Sequence, residues 1–105
     1  MDADHRLQIE AYVAMAREFA ADRAEAKSFQ LRFIAEFKKD QRLYGDAAAD
    51  ILMDFFNDAE CFEPDPELLK RLRERDPDLY IDEAQFRAKA VSFVQKAGAL
   101  LRAGA

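Results

Sequence analysis

Apolar side chains recur at intervals of three or four residues along most of this 105-residue chain, and no useful length alternates with a period of two. Such spacing places side chains on one face of an α-helix, because a helical turn holds about 3.6 residues. The clearest stripe runs from Phe86 to Leu101, and a second stripe repeats phenylalanine every fourth residue from Phe29 to Phe37. The pattern therefore predicts an all-α fold.

Capping and breaking residues divide this pattern into four main helices and one short helix. We expect the helices to cover approximately residues 4–21, 23–43, 46–62, 66–75 and 82–102. One continuous helix in place of the first two is the alternative, because residues 20–26 all tolerate helical geometry. We expect residues 79–81 to be extended and to pack across the other helices.

The expected helix ends carry residues typical of caps. Asp46 and Asp65 are placed as N-caps, and capping-box patterns begin at Asp22 and Asp82. Gly45 follows the second helix, at a position where glycine often takes the left-handed conformation.

Length and composition define the class of protein. With 105 residues, half of them apolar and nine of them phenylalanine, the chain is expected to form a single domain over 1–105. We expect a small antiparallel helical bundle. No apolar run approaches the roughly 20 residues of a membrane span, and the N-terminus lacks the apolar centre of a signal peptide. Together with a single cysteine, these features predict a cytoplasmic monomer with no membrane partner.

The chain offers few parts for catalysis. Its single histidine, His5, lies at an N-terminus that we expect to fray, far in sequence from the single cysteine, Cys61. A Cys–His pair needs hydrogen-bond contact, and three scattered glycines cannot form a phosphate-binding loop. Carboxylates near Cys61 are expected to raise the pKa of its thiol and lower its reactivity. We expect no enzyme activity and no cofactor.

Negative charge is concentrated in one window of the chain. Between Leu43 and Leu69 there are eight acids and no lysine or arginine, whereas the rest of the chain carries 16 bases against 13 acids. The formal net charge of −5 argues against nucleic acid as a direct partner. All of the excess negative charge therefore lies in this window.

On the third helix these acids form one stripe. At about 100° per residue, Asp46, Asp50 and Asp54 lie opposite the apolar face, and Asp58 and Glu60 flank them. Aspartates four residues apart can chelate a hard cation, but strong sites draw ligands from several elements and often include a histidine. A solvated acidic face is the commoner meaning of this spacing, so we expect no metal.

Three stretches of the chain resemble one protein family. QRLYG at 41–45, DAECFEPDPEL at 58–68 and LYIDEAQFRAKAVSFV at 79–94 are similar to the colicin D immunity protein family, the bacterial self-protective colicin-like immunity proteins. The resemblance covers roughly residues 41–95, and the first forty residues match only as two amphipathic helices joined by a turn. The chain departs from the family in a longer segment before RLYG and in a helix-forming segment at 66–75. The identity of the family's partner is therefore not carried over.

The resemblance implies a small helical antitoxin of the cytoplasm. Family members bind the C-terminal nuclease domain of a bacteriocin or of a contact-delivered toxin, as in contact-dependent growth inhibition. In the colicin D case the nuclease cleaves tRNA, and the immunity protein covers its active site with acidic side chains. Glu60 and Asp65, with Glu63 between them, match that motif in this chain.

The charge pattern agrees with this implication, because a site that cleaves tRNA must be positively charged to bind phosphates. Acids without neutralising neighbours remain available to such a partner. We therefore expect a one-to-one complex in which the cognate toxin domain binds seven acids: Glu60, Glu63, Asp65, Asp54, Asp50, Asp58 and Asp46. For Asp46 and Asp65, capping and binding are equal alternatives. The rival hypothesis is an acidic helical adaptor or regulator that binds another basic protein.

Overall fold

The computed structural model describes residues 1–103, and every regular element in that range is a helix. The prediction of an all-α fold is confirmed. The five helices are α1 (Ala3–Ala20), α2 (Ala26–Lys39), α3 (Ala47–Cys61), α4 (Pro66–Arg75) and α5 (Glu83–Ala103). Within this part of the chain, no helix is both long enough and apolar enough to cross a membrane.

Four of the helices share one core, and α4 lies outside it. Helix α5 packs against α1 and α3, and α2 packs against α3 and α1. No Cα atom of α4 lies within 8 Å of a Cα atom of another helix. Helix α4 is attached instead through the buried Leu69 and through Arg73, whose guanidinium donates to the Gln85 side chain at 2.6 Å.

The centre of the core is a cluster of phenylalanine rings around Phe86, which is fully buried. The Phe86 ring centroid lies 4.8 Å from that of Phe19 on α1 and 5.6 Å from that of Phe29 on α2. It also lies 5.9 Å from Phe55 on α3 and 4.8 Å from Phe62 at the end of α3. The phenylalanines that the sequence assigned to a core therefore meet one another across four helices.

Three of the predicted caps are confirmed. Asp46 accepts a hydrogen bond from the Ala49 N–H at 2.9 Å and begins α3. Asp65 accepts from the first N–H groups of α4. Asp82 and Gln85 form the predicted capping box, with the two reciprocal bonds at 2.8 and 2.9 Å. These caps depend on residues at most three positions away, which explains why sequence reasoning located them.

The capping box predicted at Asp22 is wrong, and so is the alternative of one continuous helix. Asp22 takes the left-handed conformation with φ 62°, and α2 begins only after Glu25, which makes no side-chain cap bond. Aspartate tolerates this conformation better than most residues. The Asp22 carboxylate lies 3.4 Å from the Arg87 guanidinium, which also bonds to the Phe19 carbonyl. The Asp22 and Arg23 N–H groups donate back to carbonyls of α1, at 3.0 and 2.9 Å, and the Asp22 side chain faces α5.

The predicted end of the second helix at Leu43 is also wrong, because α2 ends at Lys39. The next residue, Asp40, has its carboxylate bound by the Gln8 amide at 3.0 Å and by the Tyr12 hydroxyl at 2.9 Å. Both partners belong to α1, so the chain leaves the helix to lie along it. Gly45 does not have a positive φ and is not the helix C-cap.

His5 is buried, contrary to the expectation of a frayed N-terminus. Its side chain is 1% exposed, and its two ring nitrogens lie 2.9 Å from the Asp46 Oδ1 and 3.1 Å from the Gln8 Oε1. Its ring stacks on Tyr44 at 3.8 Å between centroids. Asp2 caps α1 by accepting from the His5 N–H. The start of α1 is therefore tied to the start of α3.

The segment before α5 is extended at one point only. The Ile81 N–H donates to the Cys61 carbonyl at 3.0 Å, and the Glu63 N–H donates to the Ile81 carbonyl at 3.1 Å. These bonds form a single parallel bridge between Phe62 and Ile81. Ile81 packs against the core as predicted, whereas Leu79 is 49% exposed.

We predict that Asp40 stabilises the fold in a pH-dependent way. The Arg42 guanidinium, followed by the Gln8 and Tyr12 bonds, holds the pKa of the Asp40 carboxyl below its usual range against the opposing effect of burial. The unfolded chain therefore binds this proton first, so the stabilisation is present above the ordinary Asp pKa of about 3.9 and is lost as the pH falls through the lower folded value. We expect Asp40→Asn to lower the free energy of unfolding at neutral pH by about 1–3 kcal/mol.

Urea denaturation of the parent and of Asp40→Asn at a series of pH values from about 7 down to 3 measures this effect. The deficit of Asp40→Asn should shrink as the solution is acidified. The control is Asp78→Asn, because Asp78 is exposed and makes no ion pair in the described range. An equal deficit at every pH would show that the Asp40 charge does not stabilise the folded state.

Candidate functional site

The seven predicted binding acids lie along one side of α3 and on the turn that follows it. Helix α3 is 15 residues long, which corresponds to about 22 Å. The acids are spread over this whole length: Asp46, Asp50, Asp54, Asp58 and Glu60 on or next to α3, and Glu63 and Asp65 on the turn. They therefore form an elongated surface and not a single cluster.

Six of these seven acids make no ion pair within 4.0 Å in residues 1–103, and Asp46 is the exception. Asp50, Asp54, Glu60 and Asp65 are exposed, whereas Asp58 and Glu63 are half-buried. A carboxylate on a protein surface without a basic neighbour keeps its charge available to an external partner. The stretch that lacks lysine and arginine in the sequence therefore also lacks ion pairs at six of these seven acids in the described structure.

Asp46 has a structural role. Its Oδ1 accepts from both the Ala49 N–H and the His5 ring, each at 2.9 Å. The Ala49 bond, followed by the His5 bond, holds the pKa of the Asp46 carboxyl below its usual value, while desolvation opposes the shift. Its side chain is 43% exposed. The contacts of Asp46 with Ala49 and His5 confirm its capping role in the fold.

Two lysines of α5 approach the acids at the centre of α3. Asp54 and Asp58 line a groove of about 400 Å³ together with Lys89, Ser92 and Lys96. Burial raises the pKa of the Asp58 carboxyl, the lysines lower it, and the negative charge of Asp54 raises it. The negative charge in this groove is therefore partly balanced by bases that lie 30 or more residues away in sequence. Asp54 and Asp58 are less available to a basic partner than Glu60.

The turn after α3 carries Glu63 and is held from both sides. The Gln30 amide of α2 donates to the Ala59 and Phe62 carbonyls, both at 2.8 Å. On the other side, the bridge to Ile81 fixes the backbone of Glu63. The Gln30 amide and the Ile81 N–H together give hydrogen bonds to the Ala59, Cys61 and Phe62 carbonyls at the end of α3, where carbonyls lack partners within the helix. The backbone at Glu60 and Glu63 is consequently fixed before any partner binds.

Glu63 borders a groove that the sequence did not reveal. This acidic groove, of about 390 Å³, has an apolar lining that includes Phe62, Pro64, Pro66 and Leu69. Its rim carries four acids and one base: Glu25, Glu63, Asp82, Glu83 and Lys27. The starts of α2, α4 and α5 meet here, and acids are favoured at helix N-termini by the helix dipole. The preference for acids at helix N-termini could have identified these residues from the sequence. Their proximity could not be found in that way, because only the packing of the helices brings the three helix starts together.

Two of the four rim acids are free of ion pairs. Glu83 lies 3.3 Å from the Arg87 guanidinium, and Asp82 lies 3.9 Å from Arg73. Glu25 and Glu63 make no ion pair in the part of the chain that the structure describes. The acidic groove therefore adds Glu25 to the acids that sequence reasoning identified.

The acids that could chelate a cation and the thiol of Cys61 can both be located in the structure. Within the 103 described residues, no group of three or more His, Cys, Asp or Glu side chains is arranged to hold a metal ion. Cys61 is a free thiol and is half-buried. Its pKa is raised as predicted, but burial is the main cause, and the charges of Asp58 and Glu60 come second.

Comparison with known proteins adds no relative. Scans against protein-family models, curated proteins and solved structures each found no match to this chain. The resemblance to the colicin D immunity family therefore stays a hypothesis carried by the quoted residues.

We predict that the acids separate into those that stabilise the fold and those that do not. Asp65→Ala should lower the free energy of unfolding by about 1 kcal/mol, because it removes the N-cap of α4. Glu60→Gln should leave stability unchanged, since Glu60 is exposed and its side chain makes no hydrogen bond or ion pair in the described range. Urea denaturation at neutral pH compares the variants. Equal losses for both would contradict the assignment of Glu60 to a free surface.

Proposed function

We propose that this chain is an immunity protein, an antitoxin that binds the C-terminal nuclease domain of a cognate bacteriocin or contact-dependent-inhibition toxin. The observation that carries the proposal is the set of acids without ion pairs on α3 and its following turn, held on a fixed backbone. The resemblance of residues 41–95 to the colicin D immunity family supports the same function.

Charge explains how such a protein inhibits its target. A nuclease active site binds a polyanion largely through its phosphates, so it presents arginine and lysine side chains. Glu60, Glu63 and Asp65 occupy the position of those phosphates and exclude the substrate, which we infer to be tRNA. Electrostatic attraction also raises the association rate, up to ~10⁸–10⁹ M⁻¹s⁻¹ at low salt. This inhibition needs no catalysis and no cofactor.

The fold is consistent with this role. We propose that α1, α2, α3 and α5 form an antiparallel bundle, with α4 as an added short helix. Short connections support the arrangement, because α1 and α2 are joined by residues 21–25 and α2 and α3 by residues 40–46. The protein acts as a cytoplasmic monomer in a one-to-one complex, where the toxin meets its RNA.

Co-expression tests the function directly. The probe is the C-terminal domain of the protein encoded immediately upstream of this chain. Expressed alone, the domain should stop growth and cleave bulk tRNA, and co-expression of this chain should restore growth and block cleavage. A domain that this chain neither binds nor inhibits would overturn the proposal. Binding to the domain without inhibition would favour the acidic adaptor instead.

We predict that Glu60→Gln weakens the complex through both rate constants: the lost charge pair raises the dissociation rate, and the lost charge lowers the association rate and its salt dependence. Removing one partner of a desolvated charge pair typically costs about 2–5 kcal/mol, and charge effects on association are screened beyond about 8 Å at physiological ionic strength. Association kinetics with the upstream-encoded domain, measured from about 50 to about 500 mM NaCl, should show a steep salt dependence that is smaller for Glu60→Gln.

Two variants serve as controls for this measurement. Asp78→Asn removes an exposed acid outside the window and should bind like the parent. Asp54→Asn should have a smaller effect than Glu60→Gln, because Lys89 and Lys96 line the same groove as Asp54. Association rates that do not change with salt would show that these acids do not steer the partner.

A further inference from the structure

Residues 40–46, which connect α2 to α3, carry the most exposed large apolar side chain of the described range. Leu43 is 90% exposed, more than any other large hydrophobic residue there. A single leucine in water is ordinary on protein surfaces. What distinguishes Leu43 is the way its backbone is held.

Buried polar side chains of α1 fix this segment on both sides of Leu43. On one side, Asp40 is bonded by Gln8 and Tyr12, and its carboxylate binds the Arg42 guanidinium at 2.9 and 3.0 Å. Gln8 is 4% exposed, and its amide also reaches the Arg42 carbonyl at 3.4 Å. The side chains of Gln8 and Tyr12 on α1 therefore bind a segment in which Leu43 itself is exposed to water.

On the other side of Leu43, the Tyr44 ring stacks on the buried His5 at 3.8 Å between centroids. His5 in turn bonds to Asp46, the N-cap of α3. The backbone of Leu43 therefore lies between two anchored neighbours and is positioned before any contact with a partner. A backbone that is ordered in advance reduces the conformational entropy lost on binding.

Leu43 belongs to a larger apolar patch. Leu43 and the 45% exposed Met53 line a pocket of about 200 Å³, to which Phe37 and Leu52 also contribute. Of these residues, Leu43 and Met53 are exposed, Phe37 is half-buried and Leu52 is buried. We call the two exposed residues, Leu43 and Met53, the Leu43 patch. Exposed apolar side chains beside a pocket that also has polar groups in its lining are a feature of interaction sites.

The rim of the Leu43 patch is acidic. Asp50 lines the same pocket and makes no ion pair within 4.0 Å in the described range. The negative charges of Asp2 and Asp4 lie close enough, after the larger effect of burial, to raise the pKa of the Tyr44 hydroxyl. The one arginine in the pocket lining, Arg42, is bound to Asp40. A partner that covers the patch therefore meets negative charge around an apolar centre.

We propose that Leu43 is a preformed apolar anchor that inserts into an apolar recess, bordered by lysine or arginine, on the basic toxin domain. This inference rests on the proposed function and names a second contact on the same partner, at the opposite end of α3 from Glu60. The charged acids speed association, whereas a buried leucine slows dissociation.

A second copy of this chain is a poorer occupant of the Leu43 patch. A two-fold interface would place each acidic rim against its own copy. Like charges that face each other across such a contact repel and disfavour the pairing. The acidic rim thus favours a basic partner over self-association.

The test uses Leu43→Ala and Leu43→Asn, and its probe is the C-terminal domain of the protein encoded immediately upstream, as in the co-expression test. Both variants should melt at the temperature of the parent, because Leu43 is almost fully exposed. Both should bind roughly tenfold to a hundredfold more weakly, as expected for a buried leucine. The loss should appear in the dissociation rate and should be the same at low and high salt. Leu31→Ala, which truncates a 58% exposed leucine on α2, is the matched control and should bind like the parent.

The outcomes separate this inference from the proposed function. If the parent does not bind the domain, the proposed function fails and this inference fails with it. If Glu60→Gln weakens binding and both Leu43 variants bind within about twofold of the parent, the function stands and the Leu43 anchor is overturned. A parent dimer that Leu43→Asn converts to a monomer in sedimentation experiments would also overturn it, because the occupant would then be a second copy.

Discussion

The contact of Phe86 with rings from every other core helix is the interaction on which the rest of the structure depends. Phe86 is fully buried and lies within 6 Å, centroid to centroid, of Phe19, Phe29, Phe55 and Phe62. Truncating a buried phenylalanine typically costs about 3–5 kcal/mol, a large share of the roughly 5–15 kcal/mol that stabilises a domain. Because Phe55 and Phe62 belong to the α3 region, this one cluster also orients the helix that carries the acids.

The acids of the described structure fall into two groups, those whose carboxylates contact side chains of another helix or an arginine and those whose carboxylates do not. Asp40 and Asp46 are bound by groups of α1, and Asp82 and Glu83 face arginines. Asp50, Glu60 and Glu63 have no such partner, yet their backbone is fixed by α3 and the Gln30 bonds. Leaving like charges unpaired on a rigid surface costs self-repulsion, and a basic partner relieves that repulsion without having to order the chain first.

Sequence reasoning succeeded where the determinants are local. The stripes of apolar residues and the caps at Asp46, Asp65 and Asp82 depend on neighbours within about one turn, so the helices α3, α4 and α5 were located well. Sequence reasoning failed where contacts with residues far away in the sequence determine the local structure. Residues 40–43 tolerate a helix, but Asp40 is bonded to side chains 28 and 32 residues away.

The same reason explains what was missed at the candidate site. His5 looked like part of a loose terminus because its partner, Asp46, lies 41 residues further along. The acidic window contains no base, yet the fold brings Lys89 and Lys96 to the groove beside Asp54 and Asp58. Whether an acid is free is therefore a property of the packed helices, and the sequence alone identifies only the candidates.

The length of α3 decides whether its two ends serve one partner. Asp46 and Glu60 are 14 residues apart on the helix, a rise of about 21 Å, which is more than twice the screening length of about 8 Å at physiological ionic strength. Charges at one end therefore contribute little to attraction at the other, and each end needs contacts of its own. A standard interface covers about 800 Å² on each partner, equivalent to a disc roughly 30 Å across. The distance between Asp46 and Glu60 is shorter than this width, so the toxin domain that we propose as partner is large enough to contact both ends of α3.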